Sequence, residues 1–214
     1  MSKNIKDLLN QAQLNKDESS ISSAEKTFSD EAAAAQVFSI LKTKILSIDE
    51  WNGHALLCEF GLFDENGESR QTKILAVGVF MRISMTGAGK YDWIKIINIR
   101  ETADELVITV KPTFDPTAEK LDKNIISHFF TDESTNNFCL LREAKTVSLS
   151  VIGLNEKQNT GETKNALETI RNVAVNLGVY LGLQKSEWEK FCHHLLEAAA
   201  VSYTHLTLPT NREV

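Results

Sequence analysis

TVSLSVIGL (146–154) and, after a short polar spacer, NALETIRNVAVNLGVYLGL (165–183) decide the fold by a change of period between them. In the first string Val147, Leu149 and Val151 alternate with Ser148 and Ser150, the two-residue repeat of a strand with one buried and one wetter face. In the second, Leu167, Ile170, Val173, Ala174, Leu177 and Leu181 recur at spacings of three and four, and Val175 and Val179 widen the stripe until the helix is apolar nearly all round. Such a helix has to be buried against the sheet. Ala174, Gly178 and Gly182 lie four apart and leave a shallow ridge, and Gly182 suits the left-handed residue that closes a helix, so the spacing predicts helix 162–182. Ser186 and Glu189 then read as a capping box for one final short helix, with Trp188, Phe191 and Leu195 on its inner face.

Upstream, the period of two extends across residues 55–154. Val77, Val79, Met81, Ile83 and Met85 alternate with Gly78, Phe80, Arg82 and Ser84, and Leu106, Ile108 and Val110 alternate with Val107, Thr109 and Lys111. Asn66-Gly67 is a hairpin signal after the run 56–63, and 87–89, 102–105 and 143–145 supply further turns. Pro112 and Pro116 predict an irregular connection over 112–125, followed by a short strand or buried turn over 126–130. Ahead of the strands, Ala34, Val37, Phe38, Leu41, Ile45 and Ile48 form one apolar face of a helix 30–48, capped by Ser29 and ended by Trp51-Asn52-Gly53. The expected class is α+β: an antiparallel sheet of about six strands packed on a long C-terminal helix, with an N-terminal helix and a final short helix.

Residues 1–28 are polar. Ile5, Leu8, Leu9 and Ala12 recur at helical spacing, while NKDESSISS (15–23) carries too little apolar surface to offset ordering entropy, which predicts a flexible arm with a short helix. At the other end, VSYTHLTLPT (201–210) reads without mismatch as a translated sequencing-library adapter, so 201–214 is expected to be a non-native, loose tail and 29–200 a single domain.

Composition narrows the function. The formal net charge is −6 and lysines are scattered among carboxylates, which argues against a nucleic-acid-tracking surface. No stretch is long and apolar enough to span a bilayer, and residues 1–13 carry Lys3, Lys6 and Asp7 where a signal peptide has its apolar core, so the expected location is the cytoplasm. Cys58, Cys139 and Cys192 form no close pair and read as reduced structural thiols. Thr86-Gly87-Ala88-Gly89-Lys90 lacks the spacer and helix of a phosphate loop and reads as a hairpin turn. Cys192-His193-His194 are consecutive helical residues that cannot converge on one ion, and Glu189, His193 and Glu197 read as a solvated helix face. Asp92, Glu101, Asp104, Glu105, Asp115 and Glu156 sit at strand ends or in loops, where solvation accounts for them. His54 is remote in sequence from His128, and His128 before Phe129-Phe130 reads as a hydrogen-bonded core histidine. No catalytic constellation, metal set or cofactor motif emerges.

The order of elements, with the run from Asn137 to Leu181, resembles the helix-grip architecture of the START and polyketide-cyclase superfamily. In that architecture a curved sheet folds around a long C-terminal helix, and a cavity between them holds an apolar ligand. The chain departs from it by lacking a helix pair after the first strand and by adding a capped helix at the end. His128-Phe129-Phe130, Gly153-Leu154-Asn155-Glu156 and Trp188-Glu189 resemble fragments of small bacterial proteins without assigned activity. Two functions are therefore expected. The first is a non-enzymatic module binding a protein partner, including a second copy of itself. The second is a carrier or enzyme with an apolar cavity between the sheet and helix 162–182, lined by Ser148, Ser150, Gly178, Gly182 and His128.

Overall fold

The computed structural model describes residues 3–52, 58–85, 91–119, 125–157, 159 and 177–207, with backbone alone at 85, 177–184 and 205–207. Its elements run α1 (Ile5–Leu14), β1 (Ser19–Thr27), α2 (Glu31–Ile45), β2 (Cys58–Phe63), β3 (Phe80–Met85), β4 (Tyr91–Glu101), β5 (Glu105–Pro112), β6 (Thr135–Glu143), β7 (Thr146–Leu154) and α3 (Leu177–Thr207). The strands form one seven-stranded sheet in the order β1-β7-β6-β5-β4-β3-β2, every neighbouring pair antiparallel. An antiparallel sheet with a long C-terminal helix against it is the α+β class expected, and it is consistent with the helix-grip likeness. The expected turn 86–90 and most of helix 162–182 lie outside the described residues.

Three expectations are corrected. The flexible arm is instead α1 followed by β1, which pairs with β7 from Ser19↔Leu154 to Thr27↔Thr146. Hydropathy misses this strand because backbone hydrogen bonds order it, and the residues it buries are the small Ser22 and Ala24. The break between Gly182 and Ser186 does not occur, since α3 is continuous from Leu177. The apolar positions Trp188, Phe191 and Leu195 pack on the core from a helix whose backbone runs unbroken through Gly182, against a glycine penalty of about 1 kcal/mol. Nor is the adapter-like segment loose where it is described. It is helical to Thr207, Ser202 Oγ donates to the Ala198 carbonyl at 2.8 Å, and Tyr203 packs against the core.

Smaller differences follow the same logic. Asp30, not Ser29, caps α2: its carboxylate accepts the Ala33 amide at 2.8 Å, and Ser29 Oγ donates to it. The helix stops at Ile45, and a 3-10 turn over Ile48–Glu50 brings in Trp51. Gly67 does turn the chain, at φ 77°, but the return is only an isolated bridge, Phe63↔Ser69, and β3 waits until Phe80.

Each face of the sheet has its own cover. On the concave side, α2 contributes Val37, Phe38, Leu41 and Ile45, and α3 contributes Phe191, Cys192, Leu195, Leu196 and Ala199, all packed against Leu106, Ile108, Val110, Phe138, Leu140, Val147, Leu149 and Val151. On the convex side α1 lays Ile5, Leu8 and Ala12 over Val107, Cys139, Ile152 and Leu154. The remaining convex corner is closed by Phe63, Phe80 and Trp93, with the Arg82 guanidinium over the rings of Phe63 and Tyr91. Edge strand β2 is blunted by Asn52, whose side chain bonds both the amide and the carbonyl of Phe60, at 2.8 and 3.0 Å.

Deleting residues 1–28 removes a whole strand and the convex cover. The shortened chain is expected to lose its cooperative urea unfolding transition, and a transition unchanged in midpoint would restore the flexible-arm reading. Trp51→Ala is expected to lower unfolding free energy by about 3–5 kcal/mol in the same assay.

Candidate functional site

The alternation of each strand assigns every residue to a face, and along the concave face the character changes from one end to the other. Beneath α2 it is apolar: Leu106, Leu140, Val147, Ile96 and Leu62. At the opposite ends of the same strands the inward positions become small or polar: Ser22 and Ser20 on β1, Gly153 on β7, Asn136 on β6, Asp92 on β4 and Cys58 on β2. The register joins them, since Ser20 pairs with Gly153, Gly153 with Asn136, and Asn136 with Val110, while Asp92 pairs with Ile83. α3 crosses there, and Ser22 Oγ donates to the Lys185 carbonyl at 3.1 Å.

Two half-buried carboxyls and a buried imidazole lie in this region. Asp92 continues the inward parity of Ile94 and Ile96, and burial raises its carboxyl above the ordinary range, against the opposing pulls of His128 and of the Phe129 amide that donates to it. His128 is 7% exposed, on the turn between β5 and β6. Its Nδ1 accepts the Phe130 amide at 2.9 Å, and burial holds the ring below the usual histidine range, against the pull of Asp92. Asn159 Nδ2 fixes this turn by donating to the carbonyls of Ile126 and His128, at 3.1 and 3.3 Å. Glu156 follows Asn155, whose φ of 53° swings the chain back over the sheet, and Ser20 Oγ donates to its carboxylate at 2.9 Å. Gly153 leaves the room for it, because a Cβ there would collide with the Glu156 carboxylate. Burial raises this carboxyl too. Across the mouth, burial pushes the Cys58 thiol up to about 11, helped by Glu187 on α3 and by Asp92.

His128, Glu156, Asn136, Ile94 and Val110 border a void of about 10 Å3, room for roughly one water-sized oxygen. Toward the centre, Trp188 stacks edge-on to Phe138 and Phe191, and its indole N–H is buried with no acceptor among the described residues. An open cleft of about 520 Å3 lies at the α2 end, lined by Phe38, Lys42, Glu101 and Arg142 among others, but its two cations are already paired, Lys42 with Glu101 and Arg142 with Asp104.

The residues expected from sequence are only partly brought together. His128 reaches the concave site. Ser148 and Ser150 do not: they alternate with Val147, Leu149 and Val151, which face the helices, so both serines lie on the convex side, away from α3. The two-residue period that identified the strand also excludes them from a lumen beneath α3. Gly178 and Gly182 lie in the first turns of α3. His54 lies outside the described residues. Glu189, His193 and Glu197 are exposed on α3, Glu197 pairing with Lys26, and among the described residues no group of His, Cys, Asp or Glu is placed to hold a metal ion. Asp92 and Glu156, read as solvated, are the residues missed. The parity of Ile94 and Ile96 would have placed Asp92 inside, whereas Glu156 has no such signal, because it sits beyond the strand on a turn.

No known protein family matches the chain, and no curated protein does. Solved structures similar to it include a hypothetical protein from Helicobacter pylori, at 10% identity and a TM-score of 0.46 over 86% of this chain and 87% of that one. A protein from Thermus thermophilus is similar at 11% identity and 0.44, over 86% and 99%. The di-domain ARO/CYC protein StfQ of the steffimycin biosynthetic pathway is similar at 12% identity and 0.45, over 93% of this chain and 56% of that one. Likeness at this level assigns neither a site nor an activity.

Because burial raises the folded-state pKa of Glu156 above its ordinary 4.5, the ionised carboxylate destabilises the fold. That penalty is absent below pH 4.5 and complete once the pH passes the raised value. Glu156→Gln keeps an acceptor for Ser20 and removes the charge. The variant is expected to melt higher than the parent at pH 7 and to converge with it below pH 4.5, measured by calorimetry across that range.

Proposed function

We propose that this protein binds a small, mostly apolar molecule on the concave face of its sheet, with the ligand's polar group held at the end formed by Asp92, His128, Asn136 and Glu156. The observation that carries this reading is the uneven concave face. A sheet that needed only a core would bury apolar side chains along its whole length, since taking a carboxyl or imidazole out of water is costly unless it is partnered. Here one end follows that rule and the other gathers ionisable groups around a void. An apolar wall with a few convergent polar groups is the usual composition of a ligand site, and the helix-grip likeness is consistent with it. Half-buried carboxyls beside a buried imidazole also have the composition of an acid–base pair, so turnover of the bound molecule is the natural extension of this reading.

A protein-interaction module has less behind it, because the flexible arm that motivated it is folded as α1 and β1. No described helix is long and apolar enough to cross a membrane.

The test is fluorescence titration with N-phenyl-1-naphthylamine. Saturable binding at one site is expected. Asn136→Trp, which fills the polar end, should abolish it, and Ser148→Trp on the convex face should leave it unchanged. A folded parent that shows no saturable binding, or equal effects of the two substitutions, would overturn the proposal.

A further inference from the structure

The convex corner of the sheet gathers positive charge that the sequence scatters. Arg82 on β3, Lys95 on β4 and Lys111 on β5 become neighbours through the register: Arg82 pairs with Trp93, two residues before Lys95, and Lys95 pairs directly with Lys111. Alternation puts all three on the convex face, since Met81, Ile94, Ile96 and Val110 face the helices. Among the described residues no carboxylate pairs with any of them, neither Glu59, which shares that face on β2, nor Glu156, which borders the same void as Lys111. Elsewhere on the surface Lys26, Lys42, Arg100 and Arg142 each have a carboxylate partner. Like charges directly opposite in a sheet are destabilising, so folding leaves an uncompensated cluster here.

Aromatic rings hold the cluster in place. The Arg82 guanidinium lies over the rings of Phe63 and Tyr91, at 4.9 and 4.4 Å, and the Lys95 ammonium lies over Phe80, at 4.6 Å. Phe63 and Phe80 are themselves buried with Trp93, so these side chains rest on an apolar floor. A stacked guanidinium directs its N–H groups edgewise, and those of Arg82 have no acceptor among the described residues. In the same aromatic cluster Trp93 Nε1 is also buried with no acceptor among the described residues. Cations already held on rings lose little further freedom when an anion arrives, which is the condition for recognising one.

Charge and spacing narrow the anion. Opposed positions in a sheet lie about 5 Å apart and diagonal ones about 7–8 Å, within reach of long side chains, so the three charged heads can meet on one tetrahedral group. A phosphate monoester carries about −1.5 to −2 charge and three acceptor oxygens, where a carboxylate has a single charge and two. A long polyanion is disfavoured, because the chain's net charge of −6 repels whatever extends beyond the corner. We propose that the convex corner is a binding site for one phosphate group, free or as the monoester of a small molecule, held by Arg82, Lys95 and Lys111. It lies on the opposite face of the sheet from the concave site and stands independently of it.

The experiment titrates inorganic phosphate, phenyl phosphate, benzenesulfonate and a short oligothymidylate into the full chain, in phosphate-free buffer at about pH 7.5, where the phosphates are mostly dianions. Backbone and indole proton–nitrogen NMR signals report binding. Saturable shifts centred on β3–β5 and the Trp93 indole are expected with at least one of the two phosphates, and the tighter of them tells whether the free ion or the ester is the ligand. That phosphate is expected to bind about tenfold tighter than benzenesulfonate, which has the same tetrahedral shape and about half the charge. At least one of Lys95→Gln and Lys111→Gln should weaken it about tenfold. Neither should lower the melting temperature measured without phosphate, because each removes a like-charge contact. Lys190→Gln, on α3, should leave affinity unchanged. No saturable binding of either phosphate to the folded chain, equal binding of benzenesulfonate, or an affinity unmoved by both lysine variants would overturn the proposal. Tightest binding of the oligothymidylate would overturn it in favour of a nucleic-acid surface. None of these outcomes bears on whether N-phenyl-1-naphthylamine binds the concave side.

Discussion

Trp51 is the point on which the concave core closes. Its indole N–H donates to the Ile45 carbonyl at 3.0 Å, tying down the end of α2, and its ring meets Phe60 of β2 at 5.5 Å, Phe138 of β6 at 4.6 Å and Phe191 of α3 at 5.0 Å. One side chain thus joins α2, two strands far apart in the sheet and the C-terminal helix α3. Edge-to-face rings of this kind add about 0.5–1.5 kcal/mol per pair beyond the area they bury. They also have a required geometry, so the cluster sets where α3 sits on the sheet. With α3 placed, Trp188 and Glu187 are carried to the mouth of the polar end.

That constraint explains why the site lies where it does. α2 and the aromatic cluster fill one end of the concave face and the middle, leaving the far ends of the strands to polar residues. The carboxyl of Glu156 and the imidazole of His128 are held there by backbone devices rather than by packing. The left-handed Asn155, the missing side chain of Gly153 and the Asn159 clamp on the 126–130 turn each hold one of these groups in place, Asn155 at some conformational cost. Cys139 and Cys192 are buried in the ordinary way, and burial pushes the Cys192 thiol up to about 12, which suits packing rather than chemistry.

Period and parity were enough to read β3, β5 and β7, the α2 stripe and the inner face of α3 at Trp188, Phe191 and Leu195, because burial on one side imposes a repeat on any strand or helix. The reading failed where order comes from elsewhere. β1 is held by main-chain bonds to β7, and its buried residues are Ser22 and Ala24, so its hydropathy looks like that of a linker. The capping box at Ser186 and Glu189 is a sound local signal that the packing of Phe191, Cys192, Leu195, Leu196 and Ala199 overrides, since a cap is worth about 1 kcal/mol and the packing of a whole helix is worth more.

Taken alone, the chain's residues determined that an antiparallel sheet packs on a long C-terminal helix, since alternation and helical spacing are local properties that each segment carries with it. Tertiary structure alone decided that Asp92, His128 and Glu156 share one end of one face and that Ser148 and Ser150 are excluded from it. Convergence depends on register between strands remote in sequence, and on which face the helices cover, and neither is encoded in the period of any single segment.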